Sequence, residues 1–157
     1  MTAATPTANP TEQPLDAALR PIHEGWLENA RGHLDPALGP GAEFWTGGAA
    51  ARYLSDDFLH QFQWELALVD ELHAFLAEDA AERLRQEGAR LARLRLEFDR
   101  IGRRRGTAAE VAVASRAILE QLALWCAEIE ASARGIPREA LTEEAAAFLL
   151  HLERIRN

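Results

Sequence analysis

The sequence predicts an all-α fold, an antiparallel up-and-down bundle of four main helices plus one shorter helix. Three observations predict it. Apolar residues recur at spacings of three and four along most of the chain, the period of one helix face. No segment alternates apolar and polar residues as a half-buried strand does. Capping boxes and glycine or proline stops cut the periodic runs into pieces of helix length. Composition agrees: alanine, leucine, glutamate and arginine dominate, and these lose little freedom on entering a helix.

The elements follow in order. Residues 1–14 are rich in Thr, Ala and Pro with little to bury, and read as a disordered N-terminal tail. A single domain is expected over residues 15–157, a length that supports a buried core. Its first helix spans about residues 15–34 through Leu15, Leu19, Ile22, Trp26, Ala30 and Leu34, with Pro21 expected to kink or restart it. Residues 35–48 hold two prolines and four glycines and read as a connector. Its Phe44–Trp45 pair is expected either to plug the open end of the bundle or to anchor a partner.

The next run, residues 49–78, organises the rest. It reads as one long helix with Leu54, Phe58, Phe62, Leu66, Val69, Leu72 and Leu76 on one face. Tyr53, Trp64, Leu68 and Phe75 form a second apolar stripe on roughly the opposite side. A helix apolar on two faces is sandwiched between neighbours or lies in an oligomer interface.

Asp79-Ala-Ala-Glu82 has the form of a capping box, so a hairpin is expected near residue 79, with a helix continuing to about residue 103. Thr107-Ala-Ala-Glu110 is a second box, opening a helix that Gly135 and Pro137 stop. A last, shorter helix carries Leu141, Ala145, Phe148, Leu152 and Ile155.

Charge and cysteine usage bound the function. The formal net charge of −8 disfavours a general nucleic-acid-binding surface, although residues 79–106 are basic. That basic run interleaves acids with its arginines, the pattern of a solvated helix face. A single cysteine, Cys126, excludes an internal disulfide and points to a reducing, cytoplasmic location. The N-terminus is no secretory signal, and no apolar run reaches membrane-spanning length. Phosphate-binding glycine loops, nucleophile elbows, zinc-spaced cysteines and haem attachment motifs are all missing from the sequence.

Two polar residues of the 49–78 run, Glu65 and His73, fall within its apolar sector. If the chain reverses near residue 79, Glu65 faces Arg95, His73 faces Glu87 and Gly88 lies near Leu72. Two interhelical ion pairs would then set the register. The alternative reading gives Glu65, His73 and Glu87 to a metal or small-cofactor site between the second and third helices. Spacing speaks against it. Asp57-x-x-His60 and Asp70-x-x-His73 lie ~20 Å apart along one helix at 1.5 Å rise per residue, so they cannot converge. His60 and His151 read as ordinary surface or structural histidines.

The expected function is therefore non-enzymatic: protein–protein contact as a regulator, adaptor or accessory subunit. The partner is a protein, including a second copy of the chain as a homo-oligomer, and no cofactor is expected. The interface candidates are Phe44, Trp45, Tyr53, Trp64, Leu68 and Phe75.

Overall fold

A computed structural model of the chain describes residues 14–35, 49–104 and 106–156. The expected tail up to residue 13 and the Phe44–Trp45 connector lie outside the described residues. Among those described, the fold is all helical: α1 (Leu15–Leu34), α2 (Ala49–Ser55), α3 (Asp57–Leu72), α4 (Glu78–Arg103), α5 (Ala108–Ala133) and α6 (Glu143–Arg156). Short 3₁₀ turns at His73–Phe75 and Arg138–Ala140 lead into α4 and α6.

Sequential helices run antiparallel, as their pairings show. Asp70 and Leu66 of α3 meet Arg85 and Gly88 of α4, and Arg83, Leu84 and Glu87 of α4 meet Glu128, Trp125 and Gln121 of α5. At the start of α1, Leu15 N–H donates to Ile136 O just past the end of α5 at 2.9 Å, so these two helices are antiparallel as well. In consequence α5 lies between α1 and α4 as the centre of the bundle. A file of aromatic rings fills the space between them: Tyr53, Phe58, Phe62 and Trp125 stand in successive edge or stacked contacts, with Trp26 against Phe58.

Pro21 does not interrupt α1, which runs unbroken for 20 residues. Burial of Leu19, Ile22 and Trp26 on both sides of the ring holds the helix together despite one lost backbone bond. The 49–78 run is not one helix. It breaks at Asp56, whose φ of −122° and ψ of −93° separate α2 from α3, and it unwinds after Leu72. Ser55 and Asp56 are poor helix-interior residues because their side chains compete for backbone hydrogen bonds.

The hairpin into α4 forms, but earlier than the Asp79 box implies. Helix α4 starts at Glu78 behind Ala77, and Asp79 accepts a hydrogen bond from Ala80 N–H at 3.0 Å instead of capping the helix from outside. The Thr107–Glu110 box is complete, with Glu110 N–H donating to Thr107 Oγ1 at 3.1 Å and Thr107 N–H to Glu110 Oε1 at 3.0 Å. After α5, Gly135 takes a positive φ of 83°, the left-handed stop that glycine makes without strain. The following turn is tied to α6 by Arg138, whose buried guanidinium forks onto Glu153.

The earlier turn shifts the register. Asp70 meets Arg85 rather than a residue one turn further along α4. The expected Glu65–Arg95 and His73–Glu87 pairs therefore do not form. Gly88 is a point of close approach, though not to Leu72. A Cβ there would lie 2.7 Å from the Trp125 ring and 3.2 Å from Leu66.

Candidate functional site

The 49–78 run still supplies the most unusual residue of the core, in a different setting. Glu65 is 0% exposed, and its Oε1 lies 2.8 Å from Nε2 of His23 on α1. Nδ1 of the same ring lies 2.7 Å from Oε2 of Glu130 on α5. One imidazole, itself 1% exposed, thus joins three helices through two carboxylates. Gln61, one turn before Glu65, donates to its second oxygen at 3.4 Å, and Arg20 approaches Glu130 at 3.7 Å from the solvent side.

Each position follows from local sequence. His23 lies on the same face as Leu19, Ile22, Trp26 and Ala30, all buried. Glu65 sits between Phe62 and Val69 on the inner face of α3, and Glu130 follows Ile129 at the edge of the inner face of α5.

The electrostatics are those of a buried cation between two anions. Burial alone depresses an imidazole pKa, but attraction to Glu65 and hydrogen bonds to Glu130 and Glu65 more than offset it, and His23 rises from 6.5 to about 9. His23 is then an imidazolium donating from both nitrogens, so neither nitrogen is free to act as a general base. Cys126, on the next turn of α5 from Glu130, is buried, and that burial together with Glu65 and Glu130 pushes its thiol pKa well up. It is held as a protonated thiol, the opposite of an activated nucleophile. The cluster's chemistry is consumed by its own members.

Above it opens a cleft of about 460 Å³ between α1, α3 and α6. Ile22, Trp26 and Phe148 give it apolar walls, while Asp57, His60, Gln61 and His151 give it polar ones. Phe148 stands between the two histidine rings, with centroids 6.2 Å from His60 and 5.8 Å from His151. Gln61 belongs to both features, reaching from the cleft wall to Glu65. Trp26 Nε1 and Tyr53 Oη are both buried and approach one another, with no other partner among the described residues.

The residues singled out by sequence fare unequally. Tyr53, Trp64 and Leu68 are buried within the chain, Trp64 stacking on Phe148 of α6 at 5.5 Å, so this chain's own helices cover most of the second stripe. Phe75 alone of that stripe is exposed, at 51%. The structure does not bring Glu65, His73 and Glu87 together. Glu65 turns to His23, His73 is exposed in the 3₁₀ turn, and Glu87 accepts from Gln121 Nε2 at 2.7 Å. Among the described residues no group of three or more His, Cys, Asp or Glu side chains is placed to hold a metal ion. His60 and His151, read as unremarkable, line the cleft.

His23 and Glu130 are what sequence reasoning missed. Their signal was available, since each is a polar residue on an apolar face. Joining them requires knowing that α1 packs on α5, a contact spanning 107 positions.

No family model matches the chain, and no curated protein or solved structure matches it. Among the described residues no helix is long and apolar enough to cross a membrane.

Proposed function

We propose that the protein is a cytoplasmic, non-enzymatic helical bundle that works through protein–protein contact and associates with copies of itself. The observation that carries this reading is the outward face of α5. Val113 is 65% exposed and Leu124 45% exposed, and apart from Arg116 and Glu120 between them the exposed residues around them are alanines. A solvent-facing helix side ordinarily carries charge, as the outer face of α4 does with Arg83, Arg90, Arg93 and Arg100. A helix apolar on both faces fits an interface. The case that the second stripe of residues 49–78 made for an interface thus passes to α5. Tyr53, Trp64 and Leu68 lie under the bundle surface, and Phe75 keeps a place at its edge. The saturated His23 cluster supports a structural role for the buried polar groups.

Sedimentation equilibrium over a wide concentration range tests the reading. A mass that rises with concentration above 17.4 kDa supports it, and a strict monomer that captures no protein from its source removes its basis.

The cleft between α1, α3 and α6 favours a second reading, a small-ligand site. Its volume lies in the ordinary range for small-molecule sites, roughly 300–1,000 Å³. This reading moves the alternative site away from the α3–α4 seam. Native mass spectrometry of freshly purified protein checks it: a stoichiometric small molecule that is lost in a Phe148→Ala variant supports it, and bare protein that also shows no tryptophan-fluorescence response to a fragment panel sinks it.

A further inference from the structure

The outer face of α5 carries two charges along most of its length, Arg116 and Glu120, and they sit at its middle. Both are exposed, and neither is paired with any described residue. They stand four positions apart in the order Arg then Glu, the less favourable order for pairing within one helix. On either side of them the face is Ala109, Ala112 and Val113 towards the N-terminus, and Ala123, Leu124 and Ala127 towards the C-terminus.

This pattern is complementary to itself. Turn a second copy of the chain half a revolution about an axis perpendicular to α5 at the level of Ile118. Arg116 of each copy then faces Glu120 of the other, and Val113 of each faces the Ala123–Leu124 turn of the other. The alanines flanking these contacts let two helix backbones approach closely. A parallel arrangement offers no such match, since like charges would meet. We infer that α5 is the seam of an antiparallel, two-fold symmetric homodimer, with reciprocal Arg116–Glu120 ion pairs fixing its register.

Charge elsewhere strengthens the choice of face. Two copies each carrying −8 repel one another over most of their surface, whereas the outer face of α5 is neutral. A two-fold dimer also needs one patch only, because each subunit presents the same surface. The occupant is a second copy because the charge pattern fits its own reverse; a different protein would have no reason to share that symmetry. A single helix pair buries an area at the low end for specific interfaces, below about 1,200 Å² in total, so the dimer is weak and forms at high concentration.

The inference rests on the self-association reading and is tested separately from it by charge exchange. Arg116→Glu and Glu120→Arg proteins, each checked for native helicity by circular dichroism, are run by analytical ultracentrifugation alone and mixed. Each variant alone places two like-charge contacts in the seam and is expected to dimerise at least about tenfold more weakly than wild type. An equimolar mixture of the two restores both opposite-charge pairs, so a heterodimer recovers near wild-type affinity. The double variant R116E/E120R recovers it as a homodimer. Wild-type protein that stays monomeric at every concentration overturns both the inference and the self-association reading. Dimers that form equally well in both single variants overturn the α5 register and leave self-association through another face. Weakening that mixing does not rescue also overturns the register.

Discussion

Helix α5 is held on its two sides by different physics. Against α4 the buried contact is mainly steric, with the Arg83–Glu128 ion pair at its edge. Gly88 lets the Trp125 ring lie against the α4 backbone, Trp125 Nε1 donates to Leu84 O at 2.9 Å, and Gln121 Nε2 donates to both Glu87 O and Glu87 Oε2. Against α1 the contact is centred on His23, a buried imidazolium between Glu130 and Glu65. The difference separates two kinds of specificity. The α4 seam is limited mainly by size. The α1 seam tolerates little change in charge and responds to pH.

The largest expected effect breaks the steric seam. Trp125→Ala removes a fully buried ring and its Nε1 hydrogen bond to Leu84 O, and should cost up to about 5 kcal/mol in urea or guanidinium unfolding. The loss should be the same at pH 6 and pH 9. A pH-dependent loss would mean that the two seams are not independent.

On the other side, His23→Ala leaves Glu65 buried without its cation and should cost about 3 kcal/mol near neutral pH. That figure lies at the low end for such deletions because Glu130 can turn towards solvent. The same pair of proteins tests the pH response. Below pH 6.5 the His23 proton is held in both folded and unfolded chains, and its contribution is fully present. Between pH 6.5 and about 9 the unfolded chain releases the proton while the folded one keeps it, so stability falls through that window. The separation of the two values corresponds to about 3 kcal/mol. Wild type should therefore lose stability from pH 6.5 to 9 much more steeply than His23→Ala. Parallel curves would refute the buried imidazolium.

A smaller effect probes the closeness of the steric seam. Gly88→Ala gains helix propensity of about 1 kcal/mol but drives a methyl to 2.7 Å from an immobile Trp125 ring. The net expectation is destabilisation by about 2 kcal/mol, and neutrality would show that the seam can open. Smallest is Thr107→Ala, which removes one capping hydrogen bond at the start of α5 and should cost about 1 kcal/mol. Since the cap serves the whole helix, it should lower stability equally in the wild-type and His23→Ala backgrounds; a clear coupling in a double-mutant cycle would tie the cap to the ionic seam.

The sequence by itself determined most of the helices, though not the break at Asp56, and with them their antiparallel order, the complete cap at Thr107 and the stop at Gly135. These depend on periodicity, side chain–backbone hydrogen bonds and backbone freedom, all of which act within a few residues. It also marked Glu65 as a polar residue in an apolar sector. What only the tertiary structure decided was where each face is spent. The second stripe of residues 49–78 looked open because α6, which supplies Phe148 to cover Trp64, is some eighty positions away. The partner of Glu65 proved to be His23 rather than Arg95 because Glu65 faces α1, while Leu66 and Asp70 take the α4 side of α3. Local rules build a helix. Which of its sides meets water or a neighbour is set by packing between distant segments, and among the described residues that packing leaves Val113 and Leu124 of α5 exposed while it covers all of the second stripe but Phe75.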